Sequence, residues 1–222
     1  MNIKYEHMLH RLEEERIKSL ITQSEISRKL GMLQSHYCKA ENGHNFFGFN
    51  ELCKMCNMSL NVYYIFTGRY CDKDYDYLLS AATFDKLLLC LKYINMIAQQ
   101  NKDNIYWAKI YSHTRYIEFA ERTVGAEKNI FKATRINLGK KQIEMAKKLG
   151  VDVKKLRALE VNDLLPNSEL IFEMYKLFGI SPSLFLRNKK CLQDEISCLI
   201  DMGDKEIRKK IISIIEFTLA NI

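Results

Sequence analysis

One pattern occurs twice in this chain, and it constrains the fold more than any other feature. Thr22-Gln23-Ser24-Glu25-Ile26-Ser27-Arg28-Lys29-Leu30-Gly31 is followed, after a gap, by Glu41-Asn42-Gly43. Lys141-Gln142-Ile143-Glu144-Met145-Ala146-Lys147-Lys148-Leu149-Gly150 is followed by Glu160-Val161-Asn162. Gln, Glu, Leu, Gly and Glu recur at one offset (142 − 23 = 119 and 160 − 41 = 119). A constant offset between separated segments marks an internal repeat. Each copy is patterned as a short helix, a glycine turn and a second helix, which is a helix-turn-helix.

The chain's 222 residues allow one large or two small domains. Alternating apolar runs between turn signals, as strands require, are missing, so the expected class is all-α. The expected organisation is a first copy over 1–70, a helical connector over 71–126, a second copy over 127–190 and C-terminal helices over 191–222. In the connector, Phe84, Leu87, Leu88, Leu91, Ile94 and Ala98 form one stripe, and Ile105–Glu121 resumes with Ile105, Ala108, Tyr111 and Ile117. Trp107 reads as core. The C-terminal segment breaks near Gly203. Beyond it Ile207, Ile211, Ile214, Ile215 and Thr218 make a face that either covers the second copy or forms a dimer seam.

In the first copy, a helix over Tyr5–Ile21 presents Leu9, Leu12, Ile17 and Leu20 as its apolar stripe. Thr22 and Glu25 form a capping box. Ile26 and Leu30 bury the second helix, and Gly31 permits the left-handed turn that ends it. The next helix spans about Gln34–Asn42. At 100° per residue, Gln34, Ser35, Cys38, Lys39 and Asn42 share one arc, while Tyr37 and Ala40 face the core with Glu41 at the edge. That arc is polar, short and unbranched, as a groove-reading surface needs. Gln34 can offer a bidentate amide to adenine, Lys39 can reach guanine or phosphate, and Gln23 can hold a phosphate near the head of its helix.

In the second copy, Phe131–Leu138 ends the first helix, Ile143, Ala146 and Leu149 bury the second, and Asp152 caps the third. Leu156 and Leu159 face inward. The outward arc becomes Val153, Lys154, Arg157, Ala158 and Val161. Arg157 can grip guanine, and Val153 or Ala158 can touch a thymine methyl. Gln142 takes the place of Gln23. Asn162 stands where the first copy has Gly43, and Asn tolerates left-handed geometry.

Thr22–Gly43, with Leu52, Met58-Ser59 and Ile65-Phe66-Thr67-Gly68, resembles the Xre or phage-repressor-like helix-turn-helix family. The resemblance covers about residues 8–68, and more weakly 127–188. It implies two lambda-repressor-like helix-turn-helix domains joined by the helical connector. It also implies that Gln23 contacts phosphate, that Gln34, Ser35 and Lys39 face bases, that Asn42 contacts the DNA backbone and that Glu41 is structural. Leu33 departs from the family's small hydroxyl cap. Ser59 aligns with Ser181 at an offset of 122, which implies a loop about three residues longer near Asp163–Ser168.

Charge agrees with a nucleic-acid partner. The net charge is +7, and residues 129–190 alone hold 13 basic against 6 acidic residues. Seven scattered cysteines suit a reducing compartment. Cys53 and Cys56 have a zinc-like spacing with no second pair to complete it, so they read as structural thiols. The polar Met1–Tyr5 start suggests no signal peptide, and Leu87–Ala98 is too short to span a bilayer. The expectation is a cytoplasmic, sequence-specific regulator of transcription that binds double-stranded DNA, with no membrane partner, enzymatic activity, cofactor or metal. Three points stay open at this level: whether it is a homodimer, whether the second copy reads DNA, and whether it instead docks a protein partner, as in an antitoxin-like autorepressor.

Overall fold

The computed structural model describes residues 4–58, 60–71, 74–118 and 129–221. Among them, every regular element is helical. The first copy comprises α1 (Tyr5–Lys18), α2 (Gln23–Leu30), α3 (Gln34–Glu41), α4 (Phe49–Cys56) and α5 (Val62–Thr67). α2 begins on the expected capping box: Thr22 N–H donates to Glu25 Oε2 at 2.8 Å, and Glu25 N–H donates to Thr22 Oγ1 at 3.2 Å. It ends at Gly31, whose φ of 76° is left-handed. Leu33, as expected, supplies no side-chain cap to α3.

α1 stops at Lys18 rather than Ile21, and its buried stripe is not the expected one. Met8, Leu9, Leu12, Glu15 and Arg16 are buried, whereas Ile17 is 57% and Leu20 89% exposed. The buried set still has helical spacing, but its last two places hold charged residues with fixed partners. Glu15 Oε2 accepts from Asn61 N–H at 3.1 Å, at the head of α5. Leu20 then turns the chain at φ 56°.

The second copy comprises α9 (Ile130–Asn137), α10 (Gln142–Leu149), α11 (Val153–Glu160), α12 (Ser168–Phe178) and α13 (Pro182–Leu186), after α6 (Asp76–Leu79), α7 (Phe84–Gln100) and α8 (Ile105–Thr114). α10 buries Met145, Ala146 and Leu149, matching Ile26, Ser27 and Leu30 at the repeat offset. Ile143, expected in the core, is 66% exposed. Asp152 caps α11 by accepting from Lys155 N–H at 2.7 Å, and Asn162 is left-handed at φ 63°.

The expected lengthening of the loop near Asp163–Ser168 by about three residues is not found. The caps Gly48 and Asn167, which open α4 and α12, still stand 119 apart. α12 has 11 residues against 8 in α4, nearly one more turn, and the loop after it is shorter. Ser181 caps α13, whereas Asn61 caps α5. Ser59, its expected counterpart, lies outside the described residues.

α7 buries Leu87, Cys90, Leu91, Ile94, Asn95 and Ala98, and Trp107 is buried in α8. Ile105 is solvent-exposed, since α8 turns Trp107, Ile110 and Thr114 inward instead. The end of the expected second connector helix, residues 119–121, lies outside the described residues. α14 (Lys189–Met202) and α15 (Lys205–Asn221) break at Gly203 as expected. α15 packs on α7, burying Ile207, Ile211, Ile215 and Thr218. That face therefore covers the connector and not the second copy. No described helix is long and apolar enough to cross a membrane.

The two copies touch directly. α5 packs on α12 and α13, and α4 packs on α13. Ser168 Oγ lies 2.6 Å from Tyr5 Oη, and the Tyr5 ring meets Phe172 edge-on at 5.6 Å. The described core is continuous from Met8 to Ile215.

Candidate nucleic-acid interface

Each copy is built around one buried carboxylate. In the first, Arg16 grips Glu41 with two bonds, Nε to Oε1 at 2.8 Å and Nη2 to Oε2 at 3.3 Å. Its Nη1 donates to Ile21 O at 3.1 Å, which pins the turn into α2. Tyr37 Oη donates to Glu41 Oε1 at 2.9 Å, and Gln23 Nε2 donates to Oε2 at 2.6 Å. Burial, followed by the Glu41 charge, pushes the Tyr37 hydroxyl far above its usual range. An ion pair held at two points with its remaining lone pairs occupied can offset much of its desolvation cost. The role of Glu41 is therefore structural, since it ties α1, α2 and α3 into one unit.

The second copy repeats this arrangement at the offset of 119. Arg135 Nε donates to Glu160 Oε1 at 2.5 Å and Nη2 to Oε2 at 3.1 Å. Its Nη1 donates to Lys140 O at 3.2 Å, and Gln142 Nε2 donates to Glu160 Oε2 at 2.8 Å. Leu156 stands in the place of Tyr37, so Glu160 lacks the phenol donor. Arg16 and Arg135 were missed by the sequence reading, although they too lie 119 apart. A lone arginine near a helix end resembles a solvated side chain, and only the extended repeat register gives it away.

The orientation of both glutamines follows from these bonds. A carboxylate only accepts, so each amide must turn its Nε2 toward the glutamate and its Oε1 toward the third helix of its copy. Gln23 Oε1 accepts from the Cys38 thiol at 3.0 Å. Gln142 Oε1 accepts from Arg157 Nε at 3.0 Å. Gln23 and Cys38, and likewise Gln142 and Arg157, are thus brought together across the turn. Each glutamine already spends one amide hydrogen inside the protein.

The other arc residues differ in exposure. Gln34, Ser35, Lys39 and Asn42 are exposed along α3, and Cys38 is half-buried. Lys154 and Arg157 are exposed along α11, and Val153 and Ala158 are half-buried. The head of α10 lacks the full capping box. Lys141 N–H donates to Glu144 Oε2 at 2.8 Å, but an ammonium cannot accept a bond in return. Cys53 and Cys56 are free thiols, and no described cluster of three or more His, Cys, Asp or Glu could hold a metal.

No protein-family model matches this chain, and neither a curated protein nor a solved structure matches it.

Proposed function

We propose that this protein is a sequence-specific DNA-binding regulator of transcription of the repressor-like helix-turn-helix kind. The observation that carries the reading is the duplicated Arg-Glu-Gln cradle, Arg16-Glu41-Gln23 and Arg135-Glu160-Gln142. In each copy it clamps a second and third helix together and leaves Gln34, Ser35 and Lys39 of one third helix, and Lys154 and Arg157 of the other, in solvent. A groove-reading helix must be held rigid from behind and left bare in front. The basic surplus of the second copy supplies the phosphate attraction that positions such a helix. In this reading Gln34, Ser35 and Lys39 face bases, and Asn42 and Gln23 meet the DNA backbone.

One observation favours a second reading, in which the second copy docks a partner protein. Ile143, Val161 and Leu165 are exposed apolar side chains around α10 and α11, a less natural lining for a phosphate surface.

Salt dependence tests the proposal. Neutralising phosphates releases counterions, so affinity for a selected duplex falls by orders of magnitude between about 50 and 200 mM salt. An affinity that stays flat across that range overturns it.

A further inference from the structure

Two helix-turn-helix units on one chain can be strung loosely or fixed as a pair, and the contacts between these two are reciprocal. α12 is the counterpart of α4, and α13 is the counterpart of α5. α5 of the first copy packs on α12 of the second, and α4 of the first packs on α13 of the second. α5 and α13 also meet each other. When element X of one unit touches Y of the other and Y touches X in return, the contacts follow the pattern that an approximate twofold axis produces. This is the isologous arrangement of a symmetric dimer. Here it lies within a single chain.

The interface is specific. Tyr5 and Ser168 share a hydrogen bond, Phe172 meets Tyr5 edge-on, and the Arg69 guanidinium lies 5.9 Å from the Tyr175 ring centre. The second copy has no need of a second chain to find its mate.

Framework and outer arc have diverged differently. Arg, Gln and Glu of the cradle are identical in the two copies. The outward positions are all unlike: Gln34 against Val153, Ser35 against Lys154, Cys38 against Arg157 and Lys39 against Ala158. An amide and a thiol in one arc cannot select the same base edges as a methyl group and a guanidinium in the other.

We propose that one chain acts as an intramolecular pseudo-dimer, whose partner is duplex DNA carrying two unlike half-sites about a common dyad. The inference rests on the DNA-reading proposal above. A symmetric homodimer is confined to two identical half-sites, whereas this arrangement reads an asymmetric site at a stoichiometry of one.

The test begins with selection from randomised duplexes using the full chain. Native mass and hydroxyl-radical protection are then measured on the enriched site. The expected result is one chain per duplex, an enriched site with two unlike halves, and protections on the two strands related by a dyad. Lys39→Ala then relaxes preference in one half only, and Arg157→Ala in the other half only. Two chains on a palindrome, a single enriched half-site, or protections repeated by translation each overturn the pseudo-dimer while leaving DNA reading intact. No enriched sequence at all overturns the DNA-reading proposal itself, and this inference with it.

Discussion

Ser168 and Phe47 clasp the two copies together from positions 121 residues apart. Ser168 N–H donates to Phe47 O at 2.9 Å, and Phe47 N–H donates to Ser168 Oγ at 3.1 Å. The matching positions, Phe49 and Pro166, cannot form a second clasp, because proline has no N–H and phenylalanine no hydroxyl. Ser168 is fully buried, and its hydroxyl also meets Tyr5. Ser168→Ala leaves the Phe47 amide and the Tyr5 hydroxyl short of a partner. The expected loss is about 1–3 kcal/mol of unfolding free energy, measured by urea denaturation. A loss no larger than that of an exposed serine would show that the clasp is idle.

Glu41 accepts from Arg16, Gln23 and Tyr37 at once. Glu41→Ala strands the buried Arg16 guanidinium and costs about 3–5 kcal/mol. Replacing the pair together, Arg16→Met with Glu41→Leu, recovers part of that stability, because no unpaired charge remains although the Tyr37 hydroxyl and the Gln23 amide still lose their acceptor. A double-mutant cycle on unfolding free energies reads the coupling. Additive single losses would contradict the geometry described.

Leu20 holds a left-handed φ of 56° while 89% exposed, and Gly139 holds φ 60° at the matching position of the second copy. A leucine side chain is strained in that conformation and gains almost nothing from burial there. Leu20→Gly is expected to stabilise the fold by about 0.5–1 kcal/mol, the larger backbone entropy of glycine offsetting part of the relief. A lowered melting temperature would show that Leu20 makes a contact worth more than its strain.

His113 Nδ1 lies 3.3 Å from Arg69 Nη2. Burial first, then the charges of Arg69 and Lys109, pull its pKa down to about 4 from 6.5. A depressed folded value means that the unfolded chain takes up the proton first. Stability is therefore full above about pH 6.5 and is lost as pH falls toward 4. Urea denaturation at pH 7 and pH 5 reads this. His113→Gln is expected to shrink the difference between the two pH values, and an unchanged difference would assign the acid loss elsewhere.

The all-α class and the two repeated pairs of short helices, α2 with α3 and α10 with α11, are legible because glycine turns, capping residues and a constant offset are local signals. The outward arcs were legible for the same reason, since helical geometry alone sorts Tyr37 and Ala40 from Gln34 and Lys39. Ile17, Leu20 and Ile143 are exposed against expectation because apolar character alone does not bury a side chain, while Glu15 and Arg16 hold core positions through partners distant in sequence. The Ser59–Ser181 offset does not report a longer loop, because Ser181 matches the cap Asn61 instead and the added length lies in α12. The clasp of Ser168 on Phe47 and the covering of α7 by α15 are tertiary pairings with no local signature.

The most direct measurement compares Gln34→Ala with Gln23→Ala on a selected duplex and its single-base variants. Gln34 stands exposed at the head of α3, whereas Gln23 is bonded to Glu41 and Cys38 behind it. Gln34→Ala is expected to cost about 1–3 kcal/mol on the preferred site and to relax discrimination at one base pair. Gln23→Ala is expected to weaken every variant to a similar degree, because a phosphate contact or a loosened cradle carries no base information. Equal weakening of all variants by Gln34→Ala would contradict the assignment of α3 as a reading helix.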